Sequence, residues 1–285
     1  MNIRGQIQLR GILRWKIRRA HTRARYGVNA MNRLPIVFGN AMPKNGSKLL
    51  FNIMRGLPLL GPFVDTGLNA IKPYFRNEPT SLLWIRGQLD MLRPGDVRLG
   101  YLYAVEENVA GICRPGWANF QILRDPRDAM VSEIFYALDM HPQHLLHDYL
   151  TSLDSMEARI DALIFGIPKG KLKRVNVREH CELFLRWLDY EEIFPIRFEN
   201  LITEPRAGLV RILDYLGSMG FEPDLPRDQA LDILQTQMAP EKSETFRQGK
   251  SGGWRNHFTD ANKEHFKQVA GELLVIMGYE TTNDW

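Results

Sequence analysis

Four stretches of this 285-residue chain hold residue types at spacings suited to chemistry. The first is Pro43-Lys44-Asn45-Gly46-Ser47-Lys48, between the β-branched and aromatic run Ile36-Val37-Phe38 and an apolar-periodic segment with Leu49, Leu50, Ile53 and Met54. That order predicts a strand, a tight loop and a helix. Such a loop aims several backbone N–H groups and a helix N-terminus at one point, and Lys44 and Lys48 add full positive charge. The physical reading is an anion cradle, best suited to a phosphate. It is not the nucleoside-triphosphate loop, which needs Gly-Lys-Ser/Thr in that order; here Lys44 precedes Gly46.

The second stretch is Arg124-Asp125-Pro126-Arg127-Asp128, with Ser132 eight residues after Arg124. A guanidinium at a strand end and a hydroxyl on the helix that follows can converge on a second phosphate. The competing reading is an ion pair of Arg124 with Asp125 at a helix start, with Ser132 incidental. The third runs from Phe246 through Arg247-Gln248-Gly249-Lys250-Ser251-Gly252-Gly253-Trp254 to Thr259. Its glycines alternate with cations, which suits a loop closing over an anion, or else a solvated linker. The fourth is His141, His144 and His147 around Pro142. Metal ligation is one reading, but no carboxylate or thiol spacing supports it, and a partly exposed lid is the other.

The elements that must hold these residues follow from the hydrophobic pattern. Short apolar runs at 97–100, 119–123 and 193–198 read as buried strands, each with polar residues at its C-terminal end. Helices are predicted over 84–92, 129–138, 152–165 and 175–189, with Leu209, Val210, Leu213 and Leu216 striping another. A last helix carries Phe266, Val269, Leu273, Leu274 and Met277 and ends at Gly278. Residues 57–80, with Pro58, Pro62, Pro73 and Pro79, read as one long irregular segment and a substrate wall. The alternation of strands and helices predicts an α/β fold, three layers with a central, mainly parallel sheet flanked by helices. Ligands of such sheets sit at the C-terminal strand ends.

The length and a hydrophobic content of 44% allow a full core, read here as one domain over 34–285 preceded by an arm, 1–33. The net charge of +4 hides an asymmetry: the first 64 residues hold 12 of the 37 Lys and Arg and none of the 33 Asp and Glu, leaving −8 on the remainder. Positive charge confined to one end argues against a nucleic-acid binder. Cys113 and Cys181 form no CxxC pattern, so neither a disulfide framework nor a zinc site is expected, and a reducing, cytoplasmic setting fits. No apolar run is long enough to span a membrane. The arm reads as a basic, partly amphipathic helix. It suits an interfacial membrane anchor, a targeting presequence, or a solvated arm packing its apolar stripe on the domain.

Taken together and in this order, the first three stretches resemble the sulfotransferases that use 3′-phosphoadenosine-5′-phosphosulfate (PAPS). Pro43-Lys44-Asn45-Gly46-Ser47 is similar to their 5′-phosphosulfate loop, Arg124 to Asp128 with Ser132 to their 3′-phosphate site, and the loop from Arg247 to Trp254 to their C-terminal nucleotide clamp. The similarity spans about 34–279 of this sequence. The resemblance implies a fold related to nucleotide kinases, PAPS as donor, 3′-phosphoadenosine-5′-phosphate (PAP) as product and no metal. It assigns Lys44 to the oxygen bridging phosphate and sulfonate. The N–H groups of Asn45, Gly46, Ser47, Lys48 and Leu49, with the Ser47 hydroxyl, would hold the 5′-phosphate. Arg124, Ser132 and Arg247 would hold the 3′-phosphate, assisted by Gln248 and Gly249, and Phe198 would lie beside the adenine.

The sequence also departs from the family pattern. Lys48 replaces a small hydroxyl residue, and Leu49 an aromatic that stacks on adenine. Arg255-x-x-x-Thr259-Asp260-x-x-x-Glu264 puts Asp where the family's dimerisation motif has Val, which leaves the oligomeric state open. In Gly100-Tyr101-Leu102-Tyr103 a tyrosine stands where related members have the histidine that deprotonates the acceptor. Three outcomes follow: Lys44 and Lys48 depress the Tyr101 pKa so that it serves as base, Glu106 or Glu107 takes the proton, or activity is weak. The expected activity is sulfonate transfer to a hydroxyl or amine of a small-molecule acceptor, whose walls come from 57–95 and 139–170. The alternatives are a PAPS- or PAP-binding protein of the same fold that has lost its chemistry and, further off, a P-loop kinase.

Overall fold

The computed structural model describes residues 3–75, 78–167, 174–238 and 251–285. Five parallel strands form the central sheet: β1 (Ile36–Ala41), β2 (Val64–Asp65), β5 (Asp96–Gly100), β6 (Trp117–Leu123) and β7 (Ile193–Arg197), in the order β2-β5-β1-β6-β7. A two-stranded antiparallel ribbon, β3 (Tyr74–Phe75) with β4 (Glu78–Pro79), lies outside it. β1 is buried along its whole length, and its register sets Val37 beside Val97 of β5 and Ala118 of β6. Parallel neighbours need long crossovers, and helices supply them. The helices of the first half are α1 (Ile3–Tyr26) and α2 (Val28–Asn32), which precede β1, then α3 (Ser47–Gly56), α4 (Leu82–Asp90), α5 (Glu106–Ile112), α6 (Pro126–Phe135) and α7 (His147–Thr151). The second half adds α8 (Met156–Phe165), α9 (Val177–Leu185), α10 (Phe198–Thr203), α11 (Pro205–Ser218), α12 (Arg227–Met238), α13 (Asp260–Ala270) and α14 (Leu273–Ile276).

Side-chain alternation along β1 divides the core. Val37 joins a cluster with α3, α11 and α12, whereas Ile36 and Phe38 join one with Trp15, Ile85, Leu89, Ile112 and Trp187 on the other face. A third cluster gathers α6, α8, α9, α13 and α14 around Met42. The α/β reading with a parallel central sheet holds. Two readings are corrected. Within the segment read as wholly irregular, Val64 and Asp65 pair with Asp96 and Val97 as an edge strand, too short to show a periodicity in sequence. The closing helix is two helices, because Ala270 N-terminal to Gly271 ends α13 and the chain re-enters a helix at Leu273.

The arm docks on the sheet edge. Asp96, fully buried at the start of β5, accepts from Trp15 Nε1 (3.0 Å), Arg19 Nη1 (2.8 Å) and the Arg93 N–H (2.8 Å). Burial raises the Asp96 pKa even though these three donors work against it. Arg18 Nη2 also donates to the Thr66 carbonyl at 2.6 Å. No helix among the described residues is long and apolar enough to cross a membrane.

Candidate active site

The strand order turns back at β1: the chain adds β2 and β5 on one side, then β6 and β7 on the other. A crevice at the C-terminal ends of the strands follows from that reversal. The loop with Lys44 leaves β1 there, Tyr101 follows β5, Arg124 follows β6, and Phe198 follows β7. Four residues far apart in sequence are thereby brought to one end of the sheet.

The loop after β1 is tightly constrained. Lys44 has φ 67°, a left-handed conformation uncommon for a residue with a side chain and typical of strained functional positions. Gly46 has φ 86°, and a Cβ there would overlap the Phe198 ring, so both backbone and neighbour favour glycine. Asn45 is buried, and its N–H donates to the Met42 carbonyl at 3.2 Å. From Gly46 the chain enters α3, which has no side-chain cap. Its first-turn N–H groups and the positive end of its dipole thus face the loop. The Leu49 side chain is in the core, leaving only its backbone for a ligand, and Lys48 is exposed.

Arg124 braces this loop. Its Nη1 donates to the Lys44 carbonyl at 3.1 Å, and its guanidinium lies 4.5 Å from the Phe198 ring centroid. Burial lowers its pKa, though a guanidinium stays charged. The Lys44 ammonium lies 3.8 Å over the ring of Tyr136. Desolvation pushes its pKa down to about 8, with Glu133 opposing and Arg124 reinforcing the shift. Tyr136 begins a π-helical turn (Tyr136–Met140) that continues α6, a winding frequent at functional sites.

Tyr101 does not fit the role of base. Its hydroxyl donates to Ser47 Oγ at 3.1 Å, and its ring packs edge-on to Phe51. Burial raises its pKa, with Tyr136 adding to the rise, so the expectation that Lys44 and Lys48 depress it is overturned. Glu106 and Glu107 are exposed on the first turn of α5, with no hydrogen bond to Tyr101 among the described residues. Ser132 is half-buried on α6, about two turns beyond Arg124. Arg247, Gln248 and Gly249 lie outside the described residues.

Several positioning residues escaped the sequence reading. Asp128 accepts the N–H groups of Gly252 (2.7 Å) and Trp254 (2.9 Å), tying the end of the glycine-rich loop to α6. Gly252 takes φ 78° in doing so. Arg127 is buried in an ion pair with Asp125 (2.7 Å), and its guanidinium sits 3.9 Å from the Trp254 ring centroid and 4.5 Å from that of Trp285. Its Nη1 is 2.6 Å from Glu280 Oε1, a contact of charges rather than an aligned hydrogen bond. Asp125 pairs with Arg127 and caps α6, so the anticipated pair with Arg124 is not what Asp125 makes. Glu199 accepts the Asp125 N–H (3.0 Å) and the Tyr279 hydroxyl (3.1 Å). Asn40 bridges two neighbours with three hydrogen bonds: its Nδ2 donates to the Leu102 carbonyl and Gln121 Oε1, and its Oδ1 accepts the Leu102 N–H. The signal available for these was only that a polar residue sits inside an apolar run or a helix start.

The histidines turn toward an aromatic ring. His141 and His144 each lie 5.5 Å from the Tyr136 ring centroid. His147 Nδ1 is 2.8 Å from the Ala137 carbonyl, which can only accept, so that nitrogen carries the proton. Among the described residues no three His, Cys, Asp or Glu side chains converge as a metal site.

The family model described as the sulfotransferase domain matches residues 120–278 of this chain. It begins inside β6 and takes in Arg124, Ser132 and Phe198, but not the loop with Lys44. Sulfotransferase 2A6 of Mus musculus is 22% identical over 170 residues, covering 54% of this chain and 55% of that protein. The 3-alpha-hydroxysteroid sulfotransferase of Cavia porcellus is 24% identical over 169 residues, covering 54% of each. The chain thus spans about half the length of the curated relatives it matches. The crystal structure of mouse sulfotransferase SULT7A1 complexed with PAP shares the fold, with a TM-score of 0.59 over 89% of this chain and 90% of that one at 15% identity. Since the domain match takes in more than half of its residues, the chain belongs to the sulfotransferase domain family.

Proposed function

We propose that this chain transfers a sulfonate group from PAPS to a hydroxyl or amine of a small-molecule acceptor, with 34–285 as the catalytic unit and 1–33 as an arm docked on it. The observation that carries the reading is the Lys44 loop: an uncapped helix N-terminus, a cradle at Gly46 with no room for a Cβ, and two cations, Lys44 and Arg124, joined through the Lys44 carbonyl. These residues fit an adenosine bisphosphate, as a donor set made of N–H groups and cations must bind an anion. Bound PAPS supplies the sulfonate, whose S–O bond to phosphate breaks as the acceptor oxygen or nitrogen bonds to sulfur, releasing PAP and the acceptor's proton.

Lys44, still mostly an ammonium at pH 7, stabilises the negative charge on the departing phosphate oxygen. The N–H groups of Gly46 to Leu49 hold the 5′-phosphate, the Asn45 N–H being already given to the Met42 carbonyl. Ser47 Oγ accepts the hydrogen bond from the Tyr101 hydroxyl, because a phenol is the better donor, and its own O–H is then free to donate to that phosphate. Arg124 and Ser132, with Arg247 from the loop that Asp128 anchors, hold the 3′-phosphate, and Phe198 flanks the adenine. Cys113 and Cys181 are free thiols whose pKa values burial pushes up to about 11 and about 12, which keeps them unreactive and suits a reducing cytoplasm.

A second reading, a nucleotide-binding protein without chemistry, is favoured by the placement of Tyr101, whose hydroxyl donates to Ser47 Oγ in surroundings that raise its pKa. Calorimetry with PAP and ATP, paired with a labelled-sulfonate transfer assay over alcohols, phenols and amines, tests both. Expected are tight PAP binding without magnesium, much weaker ATP binding, and a loss of roughly 10–100-fold in PAP affinity for Arg124→Ala. Equal affinity for ATP overturns the donor assignment; PAP binding with no transfer to any acceptor selects the second reading.

A further inference from the structure

The arm has two faces. At about 100° per residue, Ile12, Trp15, Arg19 and Thr22 fall on one side of α1, the side that is at least partly buried against the domain. Leu9, Leu13 and Ile17 fall on the opposite side and are 50%, 60% and 47% exposed, with exposed Ala20 and Ala24 continuing the stripe. Cations border this outer stripe on both edges: Lys16 and Arg23 along one, Arg10 and Arg14 along the other, all exposed. No acidic residue occurs before Asp65.

We propose that the outer face of α1 binds an anionic lipid surface, with Leu9, Leu13 and Ile17 entering the boundary between headgroups and acyl chains. The bordering cations are placed to reach lipid phosphates on either side. An apolar stripe between two basic rows is the pattern of an interfacial helix, and each cation near an anionic surface adds to the attraction. A second copy of this chain fits poorly. Pairing two such stripes sets basic rows against basic rows, with no carboxylate on the helix to offset them. The hydrogen bonds of Trp15, Arg18 and Arg19 hold α1 helical and oriented before any contact with lipid. Trp15 and Arg19 bond Asp96 at the start of β5, whereas Lys44, Arg124 and Phe198 follow the C-terminal ends of their strands, so lipid binding is expected to leave the nucleotide site accessible.

The test is co-sedimentation of the full chain with vesicles of phosphatidylcholine, with and without phosphatidylserine. Binding is expected only with phosphatidylserine, weakening as salt is raised, and without a gain in helical circular dichroism. The triple variant Leu9→Asn, Leu13→Asn, Ile17→Asn should lose at least about tenfold in vesicle affinity. The variant Arg10→Gln, Arg14→Gln, Lys16→Gln should lose roughly a hundredfold. Both should keep the parent's melting temperature and PAP affinity, as every substituted side chain is exposed. Failure of the parent to bind either vesicle overturns the proposal, as does equal binding by parent and variants. It is also overturned if sedimentation velocity finds a dimer that the stripe variant abolishes, which would make the face a self-association surface.

Discussion

Lys44 carries its charge on a left-handed backbone over an aromatic ring, in surroundings that strip away water and depress its pKa to about 8. An anion placed beside it favours the ammonium and raises that pKa toward or beyond the ordinary 10.5. Binding of PAP therefore takes up a proton between about pH 8 and pH 10.5, and affinity falls as pH rises past 8, where the free protein loses the charge. Calorimetry in two buffers of different ionisation enthalpy reads this uptake, which Lys44→Ala should remove. The same variant should slow turnover by roughly 10²-fold with the fold intact, because the side chain is outside the core. Near-normal turnover in Lys44→Ala would end the mechanism. Tyr101 is argued the other way, as a positioning residue for Ser47. Tyr101→Phe should weaken PAP binding by about threefold to tenfold, the worth of one hydrogen bond, and leave the pH profile of turnover unmoved. Tyr101→His, with an imidazole of reference pKa about 6.5, should raise turnover of a hydroxyl acceptor at neutral pH and shift the optimum downward. If Tyr101→Phe silences turnover while PAP affinity is unchanged, the tyrosine is the base after all.

Among the elements, α6 ties several parts of the site together. It starts at the Asp125 cap and presents Asp128 to the loop ahead of α13. It then widens at Tyr136 under Lys44. Thr259, in the segment similar to a dimerisation motif, instead forms a capping box with Asn262 at the start of α13. Asp128→Ala removes the acceptor of two backbone N–H groups, each such charged hydrogen bond being worth about 1.5–3 kcal/mol. The amides of Gly252 and Trp254 should then exchange with solvent at least about tenfold faster, with a parallel loss of PAP affinity. Unchanged protection of both amides would show that the loop is held by something other than Asp128.

At the scale of the molecule, two apolar clusters flank one five-stranded sheet and a third gathers the helices around Met42, while the arm is fastened beside the sheet's edge through the buried carboxylate of Asp96 and the carbonyls of Thr66 and Pro94. Asp96→Ala would leave Trp15 Nε1 and the Arg93 N–H without their acceptor and take the carboxylate from the Arg19 guanidinium, which keeps the Pro94 carbonyl. Removing one partner from a buried ion pair costs about 3–5 kcal/mol, here spread between global stability and release of the arm. Urea denaturation should show that loss, and limited trypsin digestion should cut the arm's arginines faster while the remainder persists. An arm as resistant as the parent's would mean that the apolar contacts of Ile12 and Trp15 hold it unaided.

Much of this architecture was legible in local patterns. The run into the Lys44 loop, the strand ends at 100 and 123, and the helices read over 84–92 and 175–189, observed at 82–90 and 177–185, follow from periodicity and breakers, since each is set by residues within a few positions of one another. Lys44, Gly46 and Arg124 stood out as candidates for anion binding because cations, glycine and strand ends carry that meaning locally. What no local pattern carries is the environment each group meets. Tyr101 became a buried donor to Ser47, Asp128 an anchor for a loop 124 residues away, and Asp96 the socket for Trp15 only when the sheet order brought distant segments together. A pKa and a hydrogen-bond partner depend on neighbours in space and on water excluded by packing, and these are properties of the assembled strands and helices rather than of any stretch of the chain.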